Sequence, residues 1–106
     1  MARKIFSTHT TTLGTSLTLT VPKGPTSTQN TLYRVLVSAS GLLAGGLITI
    51  TGLQDATVYV DASLSVVPID FGDLGVPTET DTDIVLTVPG VLGINIAALM
   101  VAEVAE

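Results

Sequence analysis

Thr15-Ser16-Leu17-Thr18-Leu19-Thr20-Val21 decides the fold class. In an extended chain Leu17, Leu19 and Val21 fall on one side and Ser16, Thr18 and Thr20 on the other, the period-2 alternation of a strand with one wet face. Pro22-Lys23-Gly24-Pro25 ends it, because proline brings no ladder donor and glycine opens positive φ; the polar run to Asn30 prolongs the loop. Thr31 to Ser40 sets Leu32, Arg34 and Leu36 against Tyr33, Val35 and Val37. Both faces are then largely apolar, as expected of a central strand or of one covered by a partner. Glycines flank the turn Gly41-Leu42-Leu43-Ala44-Gly45-Gly46, and Leu47 to Thr51 resumes with Ile48 and Ile50 opposite Thr49 and Thr51, so a hairpin is the simplest expectation.

Further along, Thr57 to Val67 reads as one long strand bent at its middle, with Val58, Val60, Ala62, Leu64 and Val66 against Tyr59, Asp61, Ser63 and Ser65. Pro68 to Asp81 reads as a long loop, and Thr82 to Val88 as a strand with Ile84, Leu86 and Val88 inward. Ile94 to Val104 makes the last strand, apolar on both faces in its middle; a helix over 94–102 is the alternative, since Ala, Leu and Met favour helices. Arg3 to Thr8 adds an edge strand, or residues 1–9 form an extended arm. About seven or eight short strands separated by turn signals predict an all-β protein, a single antiparallel β-sandwich of jelly-roll-like form across residues 1–106.

Composition agrees and excludes several functions. A chain of 106 residues has room for one domain, and 46% hydrophobic residues can furnish its core. Without cysteine there is no disulfide, thiolate metal site or thiol nucleophile. Four basic against nine acidic residues give a net charge of −5, which argues against nucleic acid held through phosphates. No membrane span is expected, because the apolar run Val91 to Ala102 is broken by Gly93 and Asn95 and falls short of about 20 residues. Met1 to Phe6 starts like an export signal but no apolar stretch follows.

Groups that could do chemistry are few. His9 is the only histidine, so a nucleophile–base pair would have to use it; a surface or interface role is the preferred reading. Glu79, Asp81 and Asp83 alternate in an extended segment and are the candidate Ca²⁺ ligands, although a solvated acidic loop is favoured over a metal site. A sugar-cleaving cleft would need aromatic walls, and the chain offers only Phe6, Tyr33, Tyr59 and Phe71. The glycines of 41–46 have no strand, loop, lysine and helix context, so they read as a turn and not as a phosphate cradle. No cofactor and no enzymatic activity are expected.

Two features bear on assembly: either the sheet edges are covered within the fold or copies of the chain pair. Threonine is the commonest residue, and edges faced with Thr and Ser instead of Lys and Glu are poorly guarded against pairing with another chain. Every Lys and Arg lies at or before Arg34 and every Asp and Glu at or after Asp55. Interleaved halves would erase that asymmetry; separate flanks would favour head-to-tail contacts between copies.

The stretch Pro68-Ile69-Asp70-Phe71-Gly72-Asp73-Leu74-Gly75-Val76-Pro77, followed by the strand Ile84 to Val88, resembles small virion proteins of tailed bacteriophages, β-sandwich subunits of the head-decoration, cement or fibre kind. The likeness extends over roughly residues 30–104, through Val35 to Ser40, Ile48 to Ile50 and Val91 to Ile96, and rests on the pattern Phe-Gly-x-x-Gly-x-Pro between two strands. It implies a protein without an active site, made in the host cytoplasm and carried on the virion. Such a protein self-associates, often as a trimer, and binds the major capsid protein lattice to stabilise the shell. Leu42, Leu43, Phe71, Leu74 and Val76 are the apolar interface candidates, with Arg3 and Lys4 beside them. In a competing placement Phe71 plugs the core and Leu43 lies beneath the sandwich edge. The alternative function is a Ca²⁺-dependent or glycan- or receptor-binding module.

Overall fold

Alternating β-branched and polar side chains favour extended backbone, and they can hide their apolar halves only by stacking two sheets. The computed structural model describes residues 3–11, 15–40, 46–54, 57–62, 66–89 and 95–105, and within them the chain is all-β. Nine strands run in order: β1 (Arg3–Thr10), β2 (Leu17–Val21), β3 (Thr31–Ser40), β4 (Gly46–Thr51), β5 (Val58–Ala62), β6 (Val66–Asp70), β7 (Val76–Pro77), β8 (Ile84–Val88) and β9 (Asn95–Glu103). The first sheet has the order β1-β9-β3-β6, with the short β7 also paired to β3; the second has the order β2-β8-β4-β5. Every pairing is antiparallel.

The core lies between the sheets. Leu17, Leu19 and Val21 of β2, Ile48 and Ile50 of β4, and Ile84, Leu86 and Val88 of β8 pack against Leu32, Val35 and Val37 of β3 and Ile96 and Met100 of β9. Each such side chain contributes about 1.5–3 kcal/mol by leaving water, so the interlayer dominates the stability. Two buried polar residues join it. Asn30 donates from Nδ2 to the Pro22 carbonyl at 2.9 Å, accepts the Ala105 N–H at Oδ1 at 3.1 Å, and its own N–H reaches Thr78 Oγ1 at 3.0 Å. Among the described residues no buried side-chain nitrogen or oxygen lacks a hydrogen-bond partner.

Several expectations need correction. Strands β3 and β4 do not form a hairpin: they lie in different sheets, and β4 pairs with β5 and β8 instead. The long strand over 57–67 is two strands, because the chain leaves the second sheet after β5 and enters the first at β6. That crossing changes the phase of burial, so Val66 is exposed while Val67 and Ile69 pack on the core. Pro68 to Asp70 belong to β6 and Val76–Pro77 form β7, which shortens the expected loop. The helix alternative over 94–102 also falls, since residues 95–102 are in strand β9.

In β3 the register against β9 shifts between Leu32 and Arg34. The bulge absorbs Tyr33, so Leu32 and Val35 both point inward and Leu36 points out, where strict alternation would put Leu32 and Leu36 on one side. Finally, the halves interleave. Arg3 stands opposite Glu103 and Arg34 reaches Asp70 at 3.4 Å, so the sequence asymmetry of charge does not become two charged flanks.

Candidate interaction face

The first sheet has an outer face on which the pairing lines up three rows across β1, β9, β3 and β6. They are Ile5, Val101, Arg34 and Asp70; Ser7, Leu99, Leu36 and Pro68; and His9, Ala97, Ser38 and Val66. The residues between these rows, such as Phe6, Met100, Val35 and Ile69, face the core. Ile5 is 69% exposed, Val66 51% and Leu36 38%, so large apolar side chains stand in water on this face. The middle row is a ridge built on Leu99 and Leu36. The next is a trough, because Ala97 and Ser38 are small. Two adjoining open depressions of about 410 and 270 Å³ lie there, both lined by His9, Ser38 and Ala97.

The outer face of the second sheet is richer in threonine. Thr18, Thr87, Thr49 and Tyr59 form one row, and Thr20, Val85 and Thr51 the next. Hydroxyls there satisfy water without charge, although Leu47, 51% exposed, and Tyr59, 64% exposed, also stand in water on that side. The apolar face of the first sheet gains by being covered.

One end of the apolar face is closed by a polar cluster. The Arg3 guanidinium stacks over the Tyr33 ring with its carbon 3.8 Å from the centroid, and it donates to the Asp73 carbonyl at 3.2 Å. Tyr33 Oη donates to Glu103 Oε2 at 2.9 Å. Asp70 accepts from Arg34 at 3.4 Å and from the Gly72 N–H at 2.8 Å. These bonds explain the Phe-Gly-x-x-Gly-x-Pro pattern. Gly72 (φ +84°) turns the chain out of β6, and Gly75 (φ +67°) lies so close to β3 that a Cβ would stand 2.8 Å from the Leu32 carbonyl oxygen. Pro77 then closes β7 opposite Thr31.

The residues singled out from sequence are dispersed. Phe71 and Val76 are half-buried and pack on the core, as the competing placement had it for Phe71. Leu74 is 91% exposed at the tip of the turn between them. Arg3 is held over Tyr33, and Lys4 is exposed on β1. Leu42 and Leu43 lie outside the described residues. His9 projects from β1 beside the trough.

Glu79, Asp81 and Asp83 sit at the opposite kind of site, where they act within the fold. Asp81 Oδ1 accepts the Ser27 N–H and Asp83 Oδ1 the Lys23 N–H, both at 2.7 Å. The Asp81 N–H donates to the Thr28 carbonyl and the Glu79 N–H to the Gly52 carbonyl, both at 3.0 Å. The acidic segment therefore stitches the loop after β2 to the turn after β4. Among the described residues no group of three or more His, Cys, Asp or Glu is placed to hold a metal ion.

Sequence reasoning missed Ile5, Leu36, Leu99, Val101 and Val66 as surface residues. The available signal was the two-sided apolar character of β3 and β9, which the fold sets side by side. Comparison with known protein families, curated proteins and solved structures finds no match to this chain.

Proposed function

We propose that this chain is a non-enzymatic structural subunit of a virion, a decoration or cement protein that stabilises the shell by binding copies of itself and the major capsid protein. The apolar outer face of the first sheet carries the reading: Ile5, Leu36, Leu99, Val101 and Val66 form a surface that a lone molecule would gain by covering. The strand order supports it further. With the short β7 set aside, the first strand pairs with the last, the second with the one before the last, and every successive connection except that from β4 to β5 passes between the two sheets. That is the arrangement expected of a jelly roll, an architecture shared by viral capsid and lectin domains. The motif resemblance adds the shell as the partner.

The test is light scattering followed by sedimentation with purified shells of a tailed-phage major capsid protein. Self-association and co-sedimentation, with shells that resist heat better when coated, are expected. A strict monomer at high concentration that ignores the shells would overturn the proposal.

A further inference from the structure

We infer that the outer face of the first sheet pairs with the same face of a second copy about a two-fold axis lying across the strands. Each Leu36–Leu99 ridge then sits in the other copy's trough over Ala97 and Ser38. This deepens the structural role proposed above, and it rests on that reading for its biological setting alone.

Three observations choose a second copy as the occupant. The first is shape. A ridge of large side chains beside a parallel trough of small ones is self-complementary, because an axis between the two rows lays each ridge on the opposite trough. Leu99 then faces Ala97, and Leu36 faces Ser38, twice over. Such a contact is isologous and closed.

The second is charge. Two copies of a chain carrying −5 repel each other overall. The first sheet and the turn after β6 hold Arg3, Lys4 and Arg34 against Asp70, Asp73 and Glu103, so this part of the molecule is neutral. The remaining six acidic residues and Lys23 account for the whole net charge and lie elsewhere in the chain. Across the ridge and trough themselves, from Ser7 to Pro68 and from His9 to Val66, no Lys, Arg, Asp or Glu occurs. Covering those rows desolvates no such charge.

The third is size. Four strands about 4.8 Å apart, the longer ones nine and ten residues at about 3.3 Å each, give a face on the order of 600 Å², the lower end of what each partner contributes to a stable interface. Two sheets meeting face to face then bury their side chains as the layers of a sandwich do.

The test uses the whole chain and exploits its lack of cysteine. Ala97 is exposed, so Ala97→Phe fills the trough from the solvent side and leaves the fold intact, checked by an unchanged circular dichroism spectrum. Sedimentation velocity should show its dimer dissociation constant raised roughly 30-fold or more, the loss typical of a blocked interface centre. Thr87→Phe, on the wet face of the other sheet, should associate like wild type. A mixture of Ala97→Cys and Leu99→Cys proteins, treated with a short bismaleimide, should give several-fold more covalent dimer than either protein alone.

Wild type that stays monomeric into the millimolar range would overturn the inference. So would Ala97→Phe assembling as wild type does, or a trimer without preferential cross-linking in the mixture. The two proposals fail separately: a cross-linked two-fold dimer that ignores shells removes the virion reading and leaves the interface standing. Shell binding by a chain that never pairs does the reverse.

Discussion

Replacing Asp81 with alanine removes two things at once. The carboxylate accepts the Ser27 N–H at 2.7 Å, and the residue itself stands at φ +57°, in the left-handed region. A hydrogen bond to a charged acceptor is worth about 1.5–3 kcal/mol, which screening reduces to about 1 kcal/mol at this exposed position. Left-handed backbone costs alanine a further ~1 kcal/mol, whereas asparagine adopts it readily. Asp81→Ala is therefore expected to lose about 2 kcal/mol, and for a domain of this size the melting midpoint should fall by roughly 8 °C. Asp81→Asn keeps an acceptor oxygen and the backbone preference, so it should stay within about 0.5 kcal/mol of wild type. Paired urea and thermal denaturation of the three proteins checks this. An Asp81→Ala protein as stable as wild type, or an Asp81→Asn protein as damaged as the alanine variant, would refute the reasoning that the acidic segment is a structural clamp.

Three other outcomes follow from the same geometry. Gly52→Ala should lose about 3 kcal/mol in urea denaturation, because at φ +94° the new methyl is driven into the Asp83 carbonyl oxygen. Asn30→Ala should cost about 2–3 kcal/mol and speed amide exchange at Ala105, since it strips one buried side chain of its bonds to Pro22 and Ala105. Millimolar Ca²⁺ should leave the wild-type melting midpoint unmoved, as Asp81 and Asp83 already serve backbone N–H groups; a rise in the midpoint would point to a cation site instead.

What the sequence made legible was local. Leu17, Leu19 and Val21 announce their buried side by alternation alone, and β2 and β8 follow that pattern closely. Which strand pairs with which is not a local property. The β3–β4 hairpin was the cheapest expectation from a short glycine-flanked turn, yet β3 is better covered by β9 and β6, whose apolar rows continue its own. The bulge at Tyr33 could not be read either, because an extra residue shows only against a partner strand. In the segment 57–67 the clue was a slip of phase, Val58 and Val60 on even positions and Val67 and Ile69 on odd ones, which marks the passage from one sheet to the other.

The candidate face was legible in outline. Two-sided apolar runs signalled central strands or covered ones, and the fold makes β3 and β9 central neighbours so that Leu36 and Leu99 stand side by side. The loop residues chosen as contacts divide between core and solvent. Phe71 and Val76 satisfy themselves against the core, because Gly72 and Gly75 let the turn fold back onto β3. An apolar residue in a loop has no period to reveal which way it points.

Co-sedimentation of this chain with purified shells of a tailed-phage major capsid protein, run beside an Ile5→Glu, Leu36→Glu double variant, tests the central claim most directly. Both substitutions fall on exposed positions of the first sheet, so the variant should fold. Saturable binding of the wild type at a fixed ratio to capsid subunits, weakened in the variant because unpaired copies lose their two-point attachment, is the predicted result. Wild type left in the supernatant, or a variant that coats the shells equally well, would contradict the account.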